Sequence, residues 1–394
     1  MVEEIKKGNA LIRWRDFIVV AVGVCLLGCL LIAFPMHARG DGGKPVWAPE
    51  GSPPEGFDWI QLTSGEWLKG DLKVLYNESL EFDSDELDLL KFDWDDVQQV
   101  ITHEPQSVRR EYPNAGNAYV WDVDGQAETL TGILRIEGDR VFVDTGADIV
   151  EFDRSNLVSI APGTERELDF WSAQLTLSLD VSKGNSEQVN FSSYAEAKRR
   201  TALSRFYIDY RGIYATTYGT VTANSQRASS YYDIFSTRRF FWRPVIADYF
   251  RDTFANIANR GSLGAGLGYT IIDTPKTEWI VSPGIAYQGT QYDSVEPGED
   301  DIVTTPAFIF STEFDTDITK KIDFIVKYDF NVVNKASGTY SHNASAALEI
   351  ELTSHLDLDL SMVWDRIEDP QPDSEGIVPE QDDVYFFCGI SFEL

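Results

Sequence analysis

The 394 residues carry 64 acidic against 33 basic side chains, a formal net charge of −31. That balance excludes a nucleic-acid-binding surface, which needs clustered Lys and Arg to neutralise phosphates. Of the three cysteines, Cys25 and Cys29 lie in an N-terminal apolar run and Cys388 lies near the end, so no disulfide framework, zinc spacing or other cofactor motif is present.

The chain opens with Lys6, Lys7, Arg13 and Arg15, followed by an uncharged apolar stretch from Phe17 to Phe34. A basic region before an apolar one predicts an N-terminal signal helix over 1–38 that directs export. An uncleaved anchor is the alternative, since the stretch just reaches bilayer length. Leu26-Leu27-Gly28-Cys29 resembles a lipidation box, but the apolar run continues past it to Phe34. Residues 39–57, rich in Gly, Pro and Asp, read as a linker.

Residues 58–163 repeat themselves, as 58–104 and 118–162. Gly70-Asp71-Leu72, Leu80-Glu81-Phe82 and Phe92-Asp93 in the first copy answer Gly132-Ile133-Leu134, Val141-Phe142-Val143 and Phe152-Asp153 in the second. Each copy reads as a small SH3-like or open-barrel β unit, too small to fold alone, so the two are expected to pack together in the periplasm. Glu104 to Asn117 reads as the linker between them. The carboxylates around Asp83 to Asp96 lack the spacing of a calcium loop and read as a solvated face.

From residue 164 to 394 the texture changes to long two-faced strands. Leu175, Leu177, Leu179 and Val181 alternate with polar residues, as do Phe324, Val326, Tyr328 and Phe330, and then Leu356, Leu358, Leu360 and Met362. Strands are expected near 170–182, 188–198, 203–214, 227–239, 242–251, 261–272, 277–291, 302–315, 321–333, 340–352, 356–367 and 383–394. At about ten residues they have the length of tilted transmembrane strands, whereas soluble strands average about five or six. Connections alternate between short, as at Asp273 to Lys276, and longer, as at Thr216 to Gln226 and Glu368 to Asp382. The expected fold is therefore all-β: an antiparallel up-and-down transmembrane β-barrel of about twelve strands, preceded by the duplicated module. The rival reading is a β-sheet binding protein free in the periplasm, because alternation alone fits both.

Aromatics expected near the membrane interfaces are Trp171, Tyr194, Tyr214, Phe241, Trp242, Trp279, Tyr292, Trp364 and Tyr385. Arg238, Arg239, Arg243, Arg251 and Arg260 are candidates for a charged lumen, facing Asp209, Asp233, Asp323, Asp329 or Glu349. Either a salt-bridge network or a selective pore would use them. Gly264, Gly266 and Gly268 strip one strand face of side chains, giving a tight bend or room for a bulky neighbour. Gly389, Phe392 and Leu394 resemble the terminal signal read by barrel-assembly machinery. The partners expected are thus outer-membrane lipid, lipopolysaccharide and that machinery, around a monomer. Ser341 to Ser345, which includes His342, offers the residue types of a hydrolase site. His342 and Ser345 fall on opposite strand faces, so no catalytic residues are expected. His103 and His355 read as isolated turn residues.

Gly184-Asn185-Ser186, Tyr231-Tyr232-Asp233, and Arg260-Gly261 running through Gly264, Gly266 and Gly268 to Tyr269 give residues 170–394 a family resemblance. The region resembles the salt-induced outer-membrane protein family, a domain of unknown function in Gram-negative bacteria. That resemblance implies a barrel and an outer-membrane location, and no established reaction.

Overall fold

The computed structural model describes residues 56–76, 79–84, 87–112, 127–163, 167–183, 187–237, 239–274, 276–319, 321–353 and 355–393. The expected signal helix, nearly all of the linker that follows it, Gly184-Asn185-Ser186, Arg238 and Leu394 lie outside them. The described residues form β-strands throughout, with only short 3-10 turns between them.

Nine strands build the front module: β1 (Asp58–Leu62), β2 (Trp67–Tyr76), β3 (Ser79–Ser84), β4 (Asp88–Asp93), β5 (Val97–Glu111), β6 (Ala127–Glu137), β7 (Arg140–Asp144), β8 (Ile149–Asp153) and β9 (Leu157–Pro162). They form one sheet in the order β4-β3-β2-β1-β5-β6-β7-β8, which β9 closes on itself by pairing with both β2 and β5. Ile60, Leu80, Phe82, Leu134 and Ile160 are among the side chains sealed inside.

The sequence repeat is visible in the backbone. A Cβ at Gly70 would meet the Asp83 carbonyl oxygen at 2.1 Å, and one at Gly132 would meet the Asp144 carbonyl oxygen at the same 2.1 Å. Each glycine therefore lets its strand approach the next in the same way in both copies. Between the copies the structure departs from expectation. Glu104 to Glu111 is not a linker but the second half of β5, which pairs with both β6 and β9. Pro105 is accommodated where the β5–β6 register shifts, between Ile101 and Pro105, so the strand continues past it. His103 likewise is no turn residue: its backbone N–H donates to Asp58 Oδ1 at 2.7 Å, and its Nδ1 lies 3.1 Å from the same oxygen. The buried Asp58 also accepts from the Leu72 N–H at 2.9 Å, tying β1, β2 and β5 together.

The second region is a closed antiparallel ring of twelve strands: β10 (Trp171–Ser182), β11 (Gln188–Arg200), β12 (Ser204–Thr217), β13 (Thr220–Phe235), β14 (Phe240–Asp252), β15 (Ile257–Thr274), β16 (Thr277–Tyr292), β17 (Ile302–Thr319), β18 (Ile322–Val332), β19 (Tyr340–Thr353), β20 (Leu356–Ile367) and β21 (Asp382–Glu393). The connections after β11, β13, β15, β17 and β19 are all short, and they share one end of the barrel. The longest connections, after β16 and β20, lie at the other end. One expected long connection vanishes. After β12 the chain turns on Tyr218 (φ 50°) and Gly219 (φ 76°), two successive left-handed residues of the kind that close a two-residue hairpin. Thr220 to Gln226 then belongs to β13 rather than to a loop.

The ring closes where β10 meets β21. Among the described residues, Gln174 to Leu177 pair there, against Ile390 to Glu393. Gly389 helps the approach, since a Cβ on it would meet the Leu177 carbonyl oxygen at 2.8 Å.

Candidate functional site

Alternation places the oily side chains of the ring outside. Leu179 is 67% exposed, Ile285 71% and Phe386 68%, all on the outer wall. Thr176, Ser192, Arg205, Asp233, Gln288, Asn343 and Asp359 are buried on the inner one. An interior of ions and hydroxyls beneath an apolar exterior is the reverse of a globular core. The lumen is accordingly the candidate site: a buried ion cluster lies on its wall at one end, and side chains bridge the interior at two further levels.

At the short-turn end, Asp233 of β13 is fully buried between two arginines. Arg205 of β12 donates to Asp233 Oδ2 through Nε at 3.0 Å and an Nη at 2.8 Å, while Arg243 of β14 donates from Nε to Oδ1 at 2.6 Å. The Arg243 guanidinium lies 3.7 Å from the centroid of the Tyr231 ring, which supplies a further stabilising face. Beneath them Phe241 points inward, and the bare strand face makes room for it. A Cβ at Gly268 would fall 2.0 Å from the Phe241 ring, and one at Gly266 would lie 3.3 Å from Ile246. The glycine run thus seats bulky neighbours on the adjoining strand, with Gly266 and Gly268 facing β14.

Midway, Lys327 of β18 reaches across the lumen. Its Nζ lies 2.7 Å from Tyr207 Oη, 3.2 Å from Tyr194 Oη and 3.3 Å from Glu196 Oε2, all on β11 or β12, and 3.6 Å from Glu313 of neighbouring β17. Both tyrosine hydroxyls also donate to Glu196, at 2.6 Å and 2.8 Å. Counted around the ring, β11 and β18 stand five strands apart one way and seven the other, so this contact is a strut between opposite walls. Nearer the long-loop end, Arg227 of β13 makes a second strut to Asp365 of β20 at 3.0 Å, and Asn343 donates to the same carboxylate at 2.7 Å.

The struts partition the interior. Toward the short-turn end lies a polar cavity of about 140 Å³ lined by residues including Lys198, Arg211, Glu313, Asp315, Glu349 and Asp359. Beside Arg227 and Asp365 lies a smaller cavity of about 20 Å³, room for roughly one water. The connection between β20 and β21 folds over the long-loop end, where the Asn256 side-chain amide donates to the carbonyl oxygens of Ser294, Gln371 and Pro372 at 2.9 to 3.1 Å.

At the opposite rim sits the front module. Arg109 of β5 donates to the Phe235 carbonyl oxygen at 3.1 Å, and Ser159 of β9 to that of Ala202 at 2.7 Å. The Arg200 guanidinium lies 3.8 Å from the Tyr76 ring centroid. Burial pushes the Tyr76 hydroxyl well above its ordinary pKa, against the pull of Arg200. Desolvation opposes the charge on Lys91 of β4, yet Asp317, Glu81, Asp315 and Asp323 together hold its pKa above the ordinary lysine value. Strands β5 and β9 are thus hydrogen-bonded to the barrel, β2 meets it through Tyr76, and β4 lies in the field of its acidic rim.

The expected cluster of charges divides. Arg243 and Asp233 pair as described, and Arg260 turns inward to donate to Thr290 Oγ1 at 3.2 Å. Asp323 and Glu349 face each other in register on β18 and β19, with Glu349 accepting from Gln174 at 3.0 Å. Asp209 and Asp329 stand on the inner faces of β12 and β18. Arg239, exposed in the turn after β13, and Arg251, exposed on the outer face of β14, do not enter the lumen. Among the expected interface aromatics, Trp171, Tyr214, Trp242, Trp279 and Trp364 do face outward. Tyr194, Phe241, Tyr292 and Tyr385 instead point into the lumen, because each shares the strand parity of the polar face. Gly261 and Tyr269 lie on the outer face of β15, as does Phe392 on that of β21. His342 also faces outward, with Nδ1 2.8 Å from Tyr328 Oη, whereas Ser345 lines the cavity.

A closed ring of twelve strands, oily outside and ionic within, defines a β-barrel of the outer-membrane type. Within that class the chain belongs to the DUF481 family of proteins of unknown function, whose signature covers residues 175–391. No curated protein matches it. Solved structures similar to it include the NanC porin, 12% identical, covering 57% of this chain and 100% of that one with a TM-score of 0.36. The translocator domain of the autotransporter NalP from Neisseria meningitidis is 12% identical over 56% of this chain and 87% of its own, with a TM-score of 0.32. The outer-membrane channel DcaP of Acinetobacter baumannii is 10% identical over 75% of this chain and 96% of its own, with a TM-score of 0.25.

Proposed function

We propose that this protein is a bacterial outer-membrane barrel that passes small polar solutes through a narrow, strutted lumen, with its front module on the periplasmic face. The observation that carries the reading is the inversion of polarity across the barrel wall. A wall with Ile285 and Phe386 outermost is stable against lipid, and a lumen of paired charges and hydroxyls is stable only around water or polar solutes. Short turns on the module's side match the periplasmic ends of such barrels. Lipid and lipopolysaccharide would then surround a monomeric wall, and Gly389 and Phe392 would meet the barrel-assembly machinery. A role in salt or osmotic stress rests on the family resemblance alone.

The rival is a purely structural barrel, favoured by the Arg227–Asp365 strut and the narrow cavity of about 20 Å³ beside it. Planar-bilayer recording on the full chain separates the two. The parent is expected to give small, infrequent currents, and Arg227→Ala, which removes the outer strut, to raise conductance several-fold. Silence from both proteins, with heat-modifiable migration proving them folded, would leave the structural reading. A mature chain that stays monodisperse without detergent would remove the membrane reading altogether.

A further inference from the structure

The front module meets two opposite sides of the short-turn mouth, by different means. On one side Arg109 and Ser159, each 3% exposed, donate to the carbonyl oxygens of Phe235 and Ala202, and Arg200 lies against Tyr76. These contacts fall on β11, on the turn after it and on the end of β13. On the other side Lys91 of β4 lies in the field of Asp315 and Asp317 of β17 and Asp323 of β18. In the ring of twelve, β17 stands six strands from β11, and β18 six from β12, whichever way they are counted. A body held at both places lies across the opening.

The side that Lys91 reaches has a reason to attract a cation. Asp317 pairs in register with Asp323, Asp323 with Glu349, and Glu349 with Asp359, so carboxylates stand directly opposite one another across four successive strands. Like charges so placed destabilise the pairing, and a cation beside them relieves the cost. Lys198 and Arg211 act on Asp315 and Asp359 from the opposite wall, deeper in the lumen. The rung nearest the mouth, Asp317 with Asp323, meets the module's lysine. The two attachments differ in strength. Arg109 and Ser159 make buried, directed bonds, whereas Lys91 is exposed on β4, the last strand of its sheet. An exposed ion contact contributes little and exchanges readily with solvent.

We propose that the front module is an autoinhibitory cap on the short-turn mouth, hinged on its β5 and β9 bonds and held shut by Lys91 against the row of carboxylates. Passage then requires the β4 side to lift while the bonded side stays in place. This inference rests on the solute-passing reading and supplies its regulation.

The test uses the full chain with Cys25, Cys29 and Cys388 replaced by Ser, carrying Lys91→Cys and Asp323→Cys, and a short bismaleimide to join the two positions. Planar-bilayer current is expected to exceed the parent's several-fold before bridging, because the latch is gone, and to be lost after it. Lys91→Glu alone should also raise current several-fold. Lys91→Glu/Asp323→Lys, which restores opposite charges, should bring it back toward the parent's, a rescue that a merely structural lysine would not give. Heat-modifiable migration confirms an intact barrel in each case. Bridging that leaves the current unchanged, or Lys91→Glu conducting as the parent does, would overturn the cap. Efficient bridging among chains that all stay silent, Arg227→Ala included, would defeat passage and uphold the seat of the module, and current without bridging would do the reverse.

Discussion

The module and the barrel are written in the same alternating grammar and bury opposite halves of it. In the module, Ile60, Leu80 and Phe82 are fully buried and, apart from Asp58 and Arg109, the charges lie toward the surface. In the barrel, Asp233 is as fully buried as those side chains, while Ile285 stands on the outer surface. The difference teaches that strand patterning fixes that there are two faces, and the medium outside decides which one goes in. A small closed sheet in water must hide its apolar face, whereas a wide ring in lipid must show it.

The largest effect that would sharpen this contrast is in the module. Phe82→Ala is expected to cost about 3–5 kcal/mol, because it opens a cavity in a dry core. Denaturant unfolding followed by the fluorescence of Trp59, Trp67 and Trp94 should shift, while the barrel's heat-modifiable migration stays unchanged. Next comes the barrel's outer wall, where Ile285→Arg should cost about 2–4 kcal/mol in equilibrium folding into lipid. Ser345→Arg, made on the inner wall beside the cavity, should fall well short of that. Equal costs at the two sites would break the comparison. The smallest effect concerns packing between strands. Gly268→Ala drives a methyl into the Phe241 ring and should cost about 1–3 kcal/mol by thermal unfolding, with Phe241→Leu in the double variant recovering much of it.

Much of the fold was legible because alternation survives without any knowledge of partners. All twelve barrel strands lie where the pattern places them, usually extended by a few residues. The exception is Thr220 to Gln226, whose residues are small or polar on both faces and show no period that distinguishes a strand from a loop. The expected linker in the module failed on Pro105 and neighbouring charges, which signal a break in sequence but sit within a continuous strand. The lumen was harder to read. Arg243 and Asp233 lie ten residues apart and were recognisable as neighbours. Lys327 and Glu196, separated by 131 positions, and Arg227 and Asp365, separated by 138, meet only because the ring brings distant strands face to face. Strand parity could have flagged these residues as inward-facing, but pairing across an open interior leaves no local signal.

The short join between β10 and β21 has a mechanical consequence. A hoop shares tension equally around its circumference, so it parts where the fewest rungs hold. Here that place is the line where the first and last staves meet, stitched by a few backbone rungs and by hydroxyl contacts from Thr176 to Ser391 and from Ser178 to the Cys388 carbonyl. Swelling of the cylinder, as by heat, is relieved first along that single line, and the other joints remain fastened.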